Sequence, residues 1–154
     1  MDDTARHGAG TNGDRWPEAN YSLERFSQTQ LAYMVNVPAL RRAVVAFAAV
    51  QGATPMALGC IGLAVGEALN NIVMHAYRDD LVPGSMTVDA HRELAHLAVA
   101  VTDEGQGFEP RADSPGLGFG MPVIESLAAT LSVDTAVDTS DRPGTIVLMS
   151  FTLS

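Results

Sequence analysis

This sequence predicts an α+β fold in two layers, a mostly antiparallel sheet with helices gathered on one face. Three observations carry that prediction. Strand-like stretches come in consecutive pairs, helical stretches are longer and amphipathic, and the order is strand, helix, helix, two strands, helix, two strands. A doubly wound parallel fold would need strands and helices to alternate, and here they do not. With 154 residues, 47% of them hydrophobic and 18% charged, the chain suits one globular domain with a substantial core.

In chain order, residues 1–20 are acidic, Gly-rich and without periodicity, which predicts a disordered tail ahead of a domain over residues 21–154. Residues 30–36 are apolar-rich and end at Asn and Pro, as an edge or first strand would. Pro38 suits the start of a helix whose apolar stripe is Leu40, Val44, Val45 and Phe47, closed by Gln51-Gly52. Thr54 then caps a second helix beginning at Pro55 and running to about Arg78, some ~25 residues or roughly 37 Å. Residues 85–91 and 94–101 read as a hairpin. After them a glycine-rich turn opens a helix carrying Val123, Ile124 and Leu127, with Pro122 in its first turn. Residues 131–137 and 145–153 form two closing strands.

Composition excludes several function classes. The chain has no lysine, so a Walker-type phosphate loop, a eukaryote-type protein kinase and a pyridoxal phosphate enzyme each lack an obligatory residue. The single Cys60 permits no intrachain disulfide and reads as a buried small hydrophobe, with a cytoplasmic setting as the expectation. No run of eighteen apolar residues or signal peptide is present, which predicts no membrane contact. Net charge is −9 and the basic residues are scattered apart from Arg41–Arg42, which argues against nucleic acid. Partners should be proteins or small molecules.

The stretch richest in chemistry is residues 66–77, GEALNNIVMHAY. At about 100° per residue, Glu67, Asn71 and Arg78 fall within roughly 40° of one another, flanked by Asn70 and His75, while Leu58, Ala68, Leu69, Ile72 and Ala76 share the opposite side. A solvated face would carry long charged side chains. Amides, which are poorer helix formers, suggest instead a face lining something polar.

Two glycine loops follow. Asp103-x-Gly105-x-Gly107 ends an apolar strand, and a buried carboxylate there could accept a hydrogen bond from the exocyclic amine of adenine. A calcium loop is excluded, because Gly105 and Gly107 stand where oxygen ligands are needed. Gly116-x-Gly118-x-Gly120 leads into a helix, whose free N-terminal amides suit phosphate, with Phe119 and Met121 in the same turn. A triphosphate also needs a divalent cation, and Asn71 offers the neutral oxygen that magnesium accepts beside phosphate and water.

With these three motifs in this order, residues 31–153 resemble the ATPase superfamily of gyrase, heat-shock chaperone, histidine kinase and mismatch-repair proteins, with its Bergerat-type ATP-binding fold. Within it, GEALNNIVMHAY is most similar to the anti-sigma-factor serine/threonine kinases of bacterial sporulation and general stress responses. The resemblance implies Glu67 as general base or water-orienting acid and Asn71 as magnesium ligand, Asp103 on adenine with Gly105 and Gly107 beside the base, and Gly116, Gly118 and Gly120 around the phosphates. It also implies that Thr145 assists adenine recognition and that His75 flanks the site. ATP and Mg²⁺ are the implied cofactors, and a sigma factor and its anti-anti-sigma antagonist the implied partners, with a homodimer left open. The sequence departs from the family in having Gly66 where Ser is common and only residues 108–115, with Arg111 the one basic residue, as the lid between the glycine loops. The rival readings are a stand-alone histidine-kinase-like ATPase domain, against which no two-helix phosphoacceptor segment precedes the site, and a non-catalytic nucleotide-binding regulator.

Overall fold

The computed structural model describes residues 25–107, 117–136 and 141–154, so the expected tail and the 108–115 lid lie outside the described residues. Five strands form one sheet in the order β1-β2-β3-β5-β4, with every neighbouring pair antiparallel. They are β1 (Arg25–Leu31), β2 (Ser85–Glu93), β3 (His96–Asp103), β4 (Thr130–Thr135) and β5 (Thr145–Thr152). Three α-helices, α1 (Val37–Val50), α2 (Pro55–Asn71) and α3 (Leu117–Leu127), complete the α+β architecture in the predicted order.

Alternation along the central strands decides which face the helices cover. Met86, Val88 and Ala90 of β2, Leu97, Val99 and Val101 of β3, and Val147, Met149 and Phe151 of β5 enter one core with Leu40, Val44, Ile61, Val65, Leu69 and Ile124 of the helices. Their neighbours on the other face of β3 are small or polar, Ala98, Ala100 and Thr102, while β5 turns Ile146 and Leu148 as well as Ser150 to that face. Each fully buried Leu, Ile or Val contributes about 1.5–3 kcal/mol, so this one-sided core fixes the strand register.

Helix α2 is the central helix. The Thr54 hydroxyl accepts from the Ala57 N–H at 3.3 Å and Pro55 occupies the first turn, as the sequence predicts. By length and composition alone Pro55–Ala76 could cross a membrane. Its apolar positions Ile61, Ala64, Val65, Ala68 and Leu69 are, however, buried in the core of this domain. Cys60 is half-buried beside them, more open than expected.

Three boundaries differ from expectation. The first strand is β1 at 25–31, and residues 34–36 form a short 3₁₀ turn instead, with Tyr33, Met34 and Val35 exposed. The strand is an edge, so its residues face solvent apart from half-buried Phe26, which packs on Phe47 with ring centroids 5.6 Å apart. Second, α2 passes at Ile72–Ala76 into a π-helical turn and ends there, so Arg78 lies beyond the helix, exposed and off the predicted polar stripe. Third, α3 begins at Leu117, which puts Pro122 inside the helix and Gly118 and Gly120 in its opening turn.

Candidate functional site

The polar end of α2 is where the motifs converge. Glu67, Asn70, Asn71 and His75 are each partly buried there. Asn70 Oδ1, Asn71 Nδ2 and His75 Nε2 are fully enclosed and have no hydrogen-bond partner among the described residues. Such an atom costs about 1–3 kcal/mol, and native proteins carry few of them, so three within two turns of one helix mark this stretch as a candidate site. The π turn contributes: widening the helix by one residue per turn displaces His75 from α-helical phase, and such turns recur at functional sites. Burial, and then the Arg78 charge, hold the His75 pKa below its ordinary value, so the imidazole is neutral at pH 7.

The second glycine loop reaches this end directly. A Cβ on Gly120 would stand 3.0 Å from Asn71 Nδ2 and 3.1 Å from Oδ1, so the opening of α3 lies against that amide with room for no side chain. Met121 turns the other way and packs on the core. Gly118 and Phe119 belong to the same helical turn, and Gly116 lies outside the described residues. The polar end of α2 and the opening turn of α3 thus meet at Asn71 and Gly120.

Asp103 ends β3 at 4% exposure, its carboxylate accepts the Gly105 N–H at 2.8 Å, and it faces Thr145, also buried, across the β3–β5 ladder. Burial pushes its pKa up, opposed first by the N–H groups of Gly105 and Thr145 and then by the Arg142 charge. Gly105 is required for packing: a Cβ there would collide with the Ala76 carbonyl, which accepts the Gln106 N–H at 3.2 Å. Gly107 adopts φ +90° beside Pro143, and the Gly144 N–H donates to the Gly105 carbonyl at 3.0 Å. The Asp103 turn is therefore fastened to the last turn of the same helix that carries Glu67 and Asn71.

Sequence reasoning missed Tyr77, whose hydroxyl joins that turn to β2. It donates to the Ser85 carbonyl at 2.6 Å and accepts the Glu104 N–H at 2.8 Å. The signal was its place two residues after His75 at the end of the polar stripe. It also missed Arg142, which pairs through both guanidinium ends with Asp80 and lies 5.9 Å above the Tyr77 ring.

A glycine-opened helix and the turn after a strand-end carboxylate thus both meet the polar end of α2. Residues 32–151 match the family described as histidine kinase-like ATPase domain. The chain belongs to that family. Over 121 residues it is 28% identical to an anti-sigma F factor of Thermoanaerobacter sp. and 29% identical to one of Caldanaerobacter subterraneus, with 71% of this chain and 80% of each relative covered. Among solved structures, the RsbU and RsbW domains of a Mycobacterium tuberculosis protein superpose with a TM-score of 0.64 at 21% identity, over 84% of this chain and 32% of that one. The mycobacterial sensor histidine kinase MprB superposes with a TM-score of 0.52 at 22% identity, over 62% of this chain and 71% of that one. At these identities the structures speak for the fold.

Proposed function

We propose that this histidine kinase-like ATPase domain is a cytoplasmic anti-sigma-type serine/threonine protein kinase. It holds a sigma factor inactive and is countered by transferring the γ-phosphoryl group of ATP to a serine or threonine of an anti-anti-sigma antagonist. The anti-sigma F relatives support the partner class, and the acidic surface chemistry of the chain favours proteins over nucleic acid. The observation that carries the nucleotide reading is the set of unpartnered buried atoms on Asn70, Asn71 and His75, with Gly120 against the Asn71 amide and the Asp103 turn bonded to Ala76 at the end of the same helix.

Asp103 would accept the exocyclic amine of adenine, with Thr145 beside it, and a guanine would present a carbonyl to the same carboxylate. Amides at the opening of α3, around Gly118 and Gly120, would hold phosphate oxygens, and the neutral His75 Nε2 offers one further hydrogen bond to them. Asn71 would hold magnesium, since an amide flip can present its oxygen, and that ion supplies charge neutralisation on the phosphates. Glu67, one turn before Asn71, would take the proton of the attacking hydroxyl as its oxygen bonds to γ-phosphorus and the bond to the β,γ-bridging oxygen breaks, releasing ADP.

The test is transfer of γ-label from ATP, with magnesium, to a serine-bearing product of a neighbouring gene. Label on that serine is the expected result. Tight ATP binding with no transfer to any antagonist would replace the kinase by a non-catalytic nucleotide-dependent regulator.

A further inference from the structure

The geometry points to Tyr77 as a positioning residue for base selection: its hydroxyl, wedged between the ends of β2 and β3, sets the turn that presents Asp103 to a purine. The inference rests on the reading of Asp103 as the adenine acceptor and names a residue that tunes it. Met86 and Asp103 are the last paired residues of the β2–β3 ladder, and the next pair in that register would be Ser85 and Glu104. They do not meet. The Glu104 N–H goes instead to the Tyr77 oxygen at 2.8 Å, and the Tyr77 O–H to the Ser85 carbonyl at 2.6 Å, so one hydroxyl relays a bond the ladder would have made directly.

The consequence is a splayed strand end. With Glu104 held away from β2, the chain reaches the helix, where the Gln106 N–H finds the Ala76 carbonyl and the Gln106 side chain finds Asp79 at 2.9 Å. Adjacent residues Ala76 and Tyr77 thus hold both sides of Gly105, whose own N–H fixes the Asp103 carboxylate. Packing holds the ring in place. It is 6% exposed, lies against Gly84 with space for no Cβ there, and has the Arg142 guanidinium over it. Burial raises the hydroxyl pKa, so the proton that the Ser85 bond needs stays in place.

Tyr77→Phe keeps the ring, its packing and the Arg142 contact, and removes only the relay. Affinities for ADP and GDP without metal, in parent, Tyr77→Phe and Asp103→Ala, separate the possibilities. The expected result is a fall of about three- to tenfold in the ADP-to-GDP ratio for Tyr77→Phe, the size of one neutral hydrogen bond, with faster hydrogen exchange at the Glu104 amide. A purely structural role would weaken both nucleotides alike and leave the ratio unchanged, which overturns the inference. If Tyr77→Phe does not fold, Gly84→Ala, which displaces the ring while retaining the hydroxyl, must lower the ratio instead, and an unchanged ratio there counts against it equally. A ratio that survives in Asp103→Ala overturns the adenine reading itself, whereas a ratio lost in Asp103→Ala but kept in the Tyr77 variant overturns this inference alone.

Discussion

At the Asp103 turn the polar groups have partners before any ligand arrives. The carboxylate takes the Gly105 N–H, Glu104 is held by Tyr77, Gln106 by Ala76, and Gly144 by the Gly105 carbonyl. At the end of α2, Asn70, Asn71 and His75 each keep an enclosed atom without one. The difference teaches how the proposed site would divide its work. If Asp103 takes the base and the end of α2 the phosphates, the base side would be preorganised to discriminate, and ligand binding at the other side would supply the partners that the free protein lacks.

The sharpest way to break this division is to remove chemistry without touching either half's ground-state contacts. Glu67→Gln should cut phosphate transfer to an antagonist by about 10²–10⁴-fold while ATP affinity stays within about threefold, measured by label transfer and calorimetry at one magnesium concentration. Parallel losses of binding and transfer would mean that Glu67 belongs to the binding wall.

On the base side, Asp103→Ala should cost about 1.5–3 kcal/mol of adenine-nucleotide affinity, one to two decades, equally for magnesium-ATP and metal-free ADP. On the phosphate side, Asn71→Ala should weaken magnesium-ATP by roughly tenfold and leave metal-free ADP nearly unaffected. If both variants weaken both ligands in the same proportion, the site has no such halves.

A smaller effect comes from pH. If Asp103 takes adenine's amine as proposed, the ionised carboxylate is the stronger acceptor, and burial raises its pKa above 3.8, so ATP affinity should fall severalfold as pH drops through that raised value, with no such fall in Asp103→Ala. Fold stability runs the other way. Because the folded pKa lies above the unfolded one, the contribution of Asp103 is fully present below about pH 3.8 and is lost as pH rises through the folded value. Chemical denaturation of ligand-free parent and Asp103→Asn across that window measures the difference.

Much of the fold was legible in the residues. Consecutive strand pairs, the Thr54 cap with Pro55, and Gly52, which adopts φ +93° after α1, each report a local rule that the packing obeys. The first strand was not legible, because an edge strand such as Arg25–Leu31 shows no alternation, while the apolar residues after it are exposed in a 3₁₀ turn. At the site, the spacing of Glu67, Asn71 and His75 put three side chains on one helix, yet nothing in that spacing marks the π turn that carries His75, at whose end the Ala76 carbonyl accepts an N–H from the distant Asp103 turn. Tyr77 was silent for the same reason. Its partners Ser85 and Glu104 are distant in sequence and bind it through their backbones, which carry no residue code.

The most direct test is a calorimetric titration of the unmodified protein with ATP and with GTP, each in the presence of magnesium. The account predicts one-to-one ATP binding at least about tenfold tighter than GTP, the least that a buried, charge-assisted acceptor at Asp103 should supply. Equal affinity for the two, or no heat with either, would contradict it.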